Sequence, residues 1–164
     1  KECSNRIIQQ GDLVAFDTDM IGPYGYCADI SRTFVEGGKL SDEQKKIHDL
    51  AYENIKYNEQ LIKPGVTFRE FAKKAWQLPD NCYDNHYPCQ VHGVGMCDEW
   101  PFIAYPDKDY RNGDYSGVFE ENMVICVESY IGEVGGKEGV KLENQYLITK
   151  NELKLLTNYP LNQI

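Results

Sequence analysis

Residues 16–34, FDTDMIGPYGYCADISRTF, decide how this chain folds. Apolar stretches flank the turn-forming Gly22-Pro23-Tyr24-Gly25, so the region reads as a strand over Leu13–Asp19, a turn, and a second strand over Tyr26–Phe34. Such a hairpin would set Asp17 and Asp29 across from one another. Asp19 would share a face with Asp17, because side chains at i and i+2 lie on the same side of a strand. Downstream, His92 opens HGVGMCDEWP (92–101), Glu128 closes VICVE (124–128) and Glu143 closes GVKLE (139–143). An isolated aspartate before a turn is usually a cap or a solvated side chain. Carboxylates gathered with an imidazole in one pocket are different, because they repel one another unless cations neutralise them. Divalent metals are the usual neutraliser, and an oxygen-rich set with one histidine suits Mn, Fe, Co or Zn at a two-metal centre.

With 164 residues, 41% of them hydrophobic and 26% charged, the chain has the size and make-up of one globular domain, taken as 1–164. The net charge of −9 argues against nucleic acid, whose phosphates require clustered Lys and Arg. No apolar run approaches the roughly 18 residues of a membrane span. Cys3, Cys27, Cys82, Cys89, Cys97 and Cys126 form no CxxC pair, so free thiols in a reducing cytoplasm are expected rather than a disulfide framework. The first residue is Lys1 rather than Met, which suggests a processed product or a piece of a longer chain.

Ser41 with Gln44 makes a capping box ahead of a helix over 42–62, whose apolar face is Ile47, Leu50, Ala51, Ile55 and Leu61. Pro64-Gly65 ends it, and Thr67 with Glu70 opens a shorter helix to about Gln77. Residues 79–90 read as loop, Val91–Cys97 as strand with Gly93 and Gly95 allowing close backbone approach, and 105–117 as turn-rich. Met123–Ile131 and Val140–Thr149 read as strands that bring Glu128 and Glu143 to facing positions. The fold class is α+β. His48 and His86 are expected at the surface, and Cys97 as structural.

The five donor motifs, in this order, resemble the pita-bread metalloenzyme superfamily of methionine aminopeptidases, prolidases, Xaa-Pro aminopeptidases and creatinase. Asp17 matches the family's first aspartate and Asp29 its second, in a D-x-x-R-T-F context completed by Arg32, Thr33 and Phe34. His92 matches the HGxG histidine, and Glu128 and Glu143 the two glutamates. The resemblance implies the pita-bread (creatinase/aminopeptidase) fold, two divalent metal ions and a homodimer. Members carry much more sequence before the first metal aspartate, so an N-terminally incomplete catalytic domain with exposed sheet edge is expected.

Three departures narrow the resemblance. Family peptidases read D-x-G after the first ligand strand, where this chain has Asp17-Thr18-Asp19, and the loop to the second aspartate is one residue longer here. They also read HGxGxxxHE, whereas His92 to Glu99 is one residue shorter and puts Asp98 in place of the second histidine. In these places the chain resembles DddP-type dimethylsulfoniopropionate lyases. That resemblance implies Asp98 as the base that removes the proton α to the carboxylate, Asp19 as an added metal ligand and Tyr87 as a pocket residue. It also implies iron first among the metals, with Mn, Co or Zn open.

The implied substrate is a small zwitterion. Its sulfonium would be held on aromatic faces, each contributing about 0.5–2 kcal/mol, and Tyr87 and Trp100 are the candidates, with Tyr24 and Tyr26 nearby in sequence. For Asp98 to act as base its pKa must rise above the usual 3.9 or so. Two alternatives stay open. One is an Xaa-Pro aminopeptidase or prolidase that hydrolyses a peptide bond; the other is a non-catalytic binding module, against which the retention of every ligand counts.

Overall fold

The segment 13–35 folds back on itself in two steps rather than one. The computed structural model describes residues 4–106 and 116–162. In it, β1 (Leu13–Asp17) gives way to a separate β2 (Met20–Ile21), and the returning chain is split into β3 (Cys27–Ala28) and β4 (Ser31–Val35). β2 pairs with β3 and β1 with β4, both antiparallel. The two long strands expected from the sequence are therefore each broken. The break changes the register: Asp17 stands opposite Ser31, not Asp29. Asp29 instead sits between strands, where its backbone N–H donates to Gln145 Oε1 at 3.1 Å and Thr18 Oγ1 donates to the Ile30 carbonyl at 3.0 Å.

Helix α1 (Asp42–Glu59) starts at the expected capping box, with Ser41 Oγ accepting from the Gln44 N–H and the Gln44 side chain accepting from the Ser41 N–H. Helix α2 (Phe68–Lys74) starts at the Thr67–Glu70 box but ends before Gln77, because Ala75 adopts an extended ψ of 156° and the Trp76 N–H turns to Asn58 Oδ1. Strands β5 (Cys89–Gly93), β6 (Phe102–Ala104), β7 (Val124–Ile131), β8 (Val140–Ile148) and β9 (Leu153–Leu155) form one antiparallel sheet in the order β6-β5-β7-β8-β9. The expected turn-rich stretch 105–117 lies largely outside the described residues.

Alternation along this sheet separates two kinds of chemistry. Val91, Ile125, Val127, Ile131, Val140, Leu142, Tyr146 and Ile148 join Ile47, Ala51 and Ile55 of α1 in the main hydrophobic core. Residues of the other parity (His92, Cys126, Glu128, Lys141 and Glu143) face the β1–β4 hairpin. Glu128 pairs directly with Glu143, and His92 with Cys126. His48, expected at the surface, is buried on α1, with Nε2 3.3 Å from the Leu161 carbonyl. The C-terminal segment covers a helix face that the helical pattern alone leaves open. Among the described residues no helix is long and apolar enough to cross a membrane.

Two side chains lock the hairpin over the sheet. Thr33 Oγ1 donates to the Lys141 carbonyl at 2.8 Å and accepts from the Lys141 N–H at 2.9 Å. The buried Arg32 guanidinium donates to Asn144 Oδ1 at 2.6 Å, to the Pro160 carbonyl at 3.1 Å and to the carbonyls of Glu143 and Tyr159. It thus ties β4, β8 and the C-terminal segment together through a planar fork that an ammonium cannot reproduce. Replacing Arg32 with Lys would strand buried acceptors at about 1–3 kcal/mol each, so a loss on the order of 3 kcal/mol is expected in urea unfolding. An unchanged midpoint would show that Arg32 is not the fastener.

Candidate metal centre

Nε2 of His92 is the hub of the site. It lies 3.0 Å from Glu143 Oε1, 3.6 Å from Glu128 Oε1 and 3.7 Å from Asp29 Oδ2, all four residues being almost wholly buried. His92 Nδ1 faces the Gly93 carbonyl at 3.1 Å, which orients the ring with Nε2 toward the acids. Donor atoms of Asp17, Asp19 and Asp29 lie within 4.8 Å of one another, as do those of Asp29, His92 and Asp98, and those of His92, Cys126 and Glu143. The six residues read from the sequence as metal ligands thus converge on one place. Asp17 and Asp19 form its exposed rim, and the other four its buried floor.

A cavity of about 340 Å³ opens over the rim, lined in part by Asp17, Asp19, Asp29, Tyr87, Glu99 and Lys141. A larger cleft of about 530 Å³ lies apart from it, between α1 and the C-terminal segment, and no imidazole lines it. Tyr87 is half-buried in the cavity wall; its hydroxyl donates to Glu99 Oε1 at 2.8 Å, and its ring centroid is 5.0 Å from Lys141 Nζ. Asp98 is half-buried, with Oδ1 accepting from the Glu99 N–H at 3.1 Å. Trp100 is 59% exposed and lines a separate shallow cleft with Met96 and Met123.

Three groups in this site were not singled out from the sequence. Lys141 sends Nζ among the acids, bonding Glu128 and lying 3.4 Å from Asp17 Oδ2 and 3.5 Å from Glu143 Oε2. The Ser31 hydroxyl lies between the carboxylates of Asp17 and Glu143, 2.8 Å from the latter. Cys126 is buried against the Asp29 carbonyl at 3.6 Å. The signal was strand parity: Lys141 is two residues from Glu143, and Cys126 two from Glu128.

The charges are mutually dependent. Burial lifts the Asp29 carboxyl to about 9, with Glu143 and Asp19 adding to the rise. Burial works against a charged His92, but its bond to Glu143 and the field of Glu128 win and lift it to about 10. Glu143 stays ionised despite its burial, drawn down to about 2 by His92 and Lys141. Glu128 rises to about 7 through burial, with the Lys141 ammonium opposing. Burial also raises Asp98 above the usual carboxylate range. Asp29 Oδ1 and Glu128 Oε1 are buried without a hydrogen-bond partner. Buried acceptors in such excess over donors fit a divalent cation, which supplies positive charge and takes several oxygens at once.

A profile of Metallopeptidase family M24 matches residues 1–150. The chain belongs to that family, whose members are dinuclear metalloenzymes, and it has the pita-bread fold. It is 42% identical over 163 residues to dimethylsulfoniopropionate lyase DddP of Roseovarius nubinhibens, across 99% of this chain and 36% of the lyase. It is 34% identical over 159 residues to an Xaa-Pro dipeptidase of Pyrococcus horikoshii, across 94% of this chain and 42% of that protein. The crystal structure of the prolidase from Pyrococcus horikoshii OT3 superposes with a TM-score of 0.77 at 32% identity, covering 98% of this chain and 44% of that one. The chain thus spans well under half the length of these relatives.

Metal removal should expose the charge balance. Asp29 rises from 3.8 to about 9 and His92 from 6.5 to about 10 in the fold, so both hold protons that the unfolded chain gives up. A raised folded value gives stability that is fully present below the unfolded value and is lost on the way up to the folded one. Thermal unfolding of metal-free protein should therefore show a midpoint that falls between pH 6.5 and about 9. Metal should bind with proton release and flatten that slope. A midpoint that rises over this range would contradict the protonation pattern.

Proposed function

We propose that Asp17, Asp19, Asp29, His92, Glu128 and Glu143 hold two divalent metal ions, iron first. We further propose that the full-length enzyme cleaves dimethylsulfoniopropionate to dimethyl sulfide and acrylate. The observation that carries this reading is Asp98. Its carboxylate stands with Asp29 and His92 inside the donor cluster, at the position where the resemblance to family peptidases calls for a second histidine. The 42% identity to the DddP lyase, against 34% to the dipeptidase, supports the same choice.

The metal ions would act as Lewis acids toward the substrate carboxylate and acidify the neighbouring C–H bond. Asp98 takes the proton from that carbon. The freed electron pair becomes the new C=C bond as the C–S bond breaks, and the sulfur leaves as neutral dimethyl sulfide. Acrylate remains, and Asp98 returns its proton to water. The burial that raises the Asp98 pKa strengthens it as a base. Tyr87 offers its ring face to the sulfonium from the cavity wall, whereas Trp100, expected from the sequence to share that role, lies on a separate cleft. The Lys141 ammonium, 5.0 Å from the Tyr87 centroid, illustrates a cation on that ring. The proposal includes a cytoplasmic homodimer; Phe16, Met20, Ile21 and Tyr24 are exposed apolar side chains on the hairpin that a partner surface could cover.

The likeness to prolidases favours a second reading, hydrolysis of an Xaa-Pro bond. Full-length protein loaded with iron or manganese should release dimethyl sulfide from dimethylsulfoniopropionate. Asp98→Asn should lower that rate by about 10²–10⁴-fold with metal content unchanged. Cleavage of an Xaa-Pro dipeptide without dimethyl sulfide release would replace the lyase reading with the peptidase one.

A further inference from the structure

Cys126 is the odd donor in a pocket of oxygens. On β7 it shares a face with Glu128, two residues on, and it stands directly across the β5–β7 ladder from His92. Its Sγ belongs to a fully buried set with His92 and Glu143, whose donor atoms all lie within 4.8 Å of one another. Sγ makes a weak contact of 3.6 Å to the Asp29 carbonyl and also interacts with the Glu143 carboxylate. Glu128 Oε1, which has no hydrogen-bond partner, lies 3.6 Å from Nε2 of the same His92. Backbone register and side-chain placement agree that the thiol points at the centre of the cluster.

We propose that His92, Cys126 and Glu143 form a site for a thiophilic divalent cation, of the cobalt, zinc or cadmium class. It overlaps the centre proposed above and rests on that reading of the pocket as a metal centre. Soft sulfur, borderline imidazole and one carboxylate select against manganese and magnesium, which favour all-oxygen sets. On binding, the S–H bond breaks, an S–metal bond forms and the proton leaves to solvent, with no change of oxidation state. Cys126 therefore decides which cation the pocket keeps when several compete. A strongly thiophilic ion would be drawn toward the sulfur and away from the rim carboxylates Asp17 and Asp19.

The test uses metal-stripped full-length protein titrated separately with Co²⁺, Cd²⁺ and Mn²⁺. A thiolate-to-metal charge-transfer absorption is expected in the near ultraviolet with Co²⁺ and at shorter ultraviolet wavelength with Cd²⁺. Cys126→Ser, and Cys126→Ala as a second variant, should abolish it and weaken Cd²⁺ binding by about 10–100-fold. Mn²⁺ binding should stay intact and thereby report a folded pocket. Cys89→Ser should keep the band. Co²⁺ and Cd²⁺ bound without a thiolate band overturn the proposal, as does a band that survives loss of Cys126. Failure to bind any of the three cations overturns the metal centre itself, and is told apart by metal analysis.

Discussion

Everything in this molecule is arranged around the repulsion among carboxylates at His92 Nε2. The sheet creates the problem by construction. Because β5, β7 and β8 devote one face to the α1 core, their other face must take whatever the alternate positions carry, and here that is Glu128, Glu143 and His92. Covering this face with the β1–β4 hairpin removes it from water and adds Asp17, Asp19 and Asp29. Acids brought together in a low-dielectric interior cannot all stay ionised without compensation. Within the fold, burial and the neighbouring acids raise the proton affinity of Asp29, the Glu143 bond and the Glu128 field raise that of His92, and the Lys141 ammonium stands among the carboxylates. Divalent ions bound to the same oxygens would supply that compensation directly and displace the protons.

The hairpin's irregularity follows from that task. A continuous ladder from Leu13 to Phe34 would have pointed Asp29 by strand parity alone. Breaking it at residues 18–19 and 29–30 lets Asp29 leave the ladder and reach His92, while Asp17 stays opposite Ser31. The freed backbone is not left unpaired, since Gln145 accepts from the Asp29 N–H and Thr18 donates to the Ile30 carbonyl. Arg32 and Thr33, which belong to the sequence motif, touch no reacting group in the structure. They fix the height of the hairpin above β8 and so set the distances at the site.

Features written in local sequence were legible and those written in register were not. Both capping boxes lie within four residues, and both helices begin where those boxes place them. The facing of Glu128 and Glu143 followed from two clear apolar strands and one turn. The Asp17 register did not, because a change of partner at a strand break leaves no mark in apolar periodicity. The burial of His48 depends on Leu161, more than a hundred positions away. Lys141 was overlooked because a lysine in a strand ordinarily reads as solvated. Only the carboxylates that Asp17 and Glu128 bring from other strands make it a buried counter-ion.

Asp98 is where the proposed chemistry is most exposed to test by electrostatics. Adding another carboxylate beside Asp29 and His92 deepens the charge imbalance, so a structural role alone would be a costly use of the position. A peptidase needs a group here that can donate to a peptide or to its leaving amine, and an ionised aspartate cannot donate. An elimination needs the opposite: a group that accepts a proton from carbon, and whose basicity is raised by poor hydration and neighbouring negative charge. Burial, with Asp19 and Glu99 beside it, moves Asp98 in that direction, and His92 opposes. That crowding raises the proton affinity of the carboxylate, which is the property the proposed base requires.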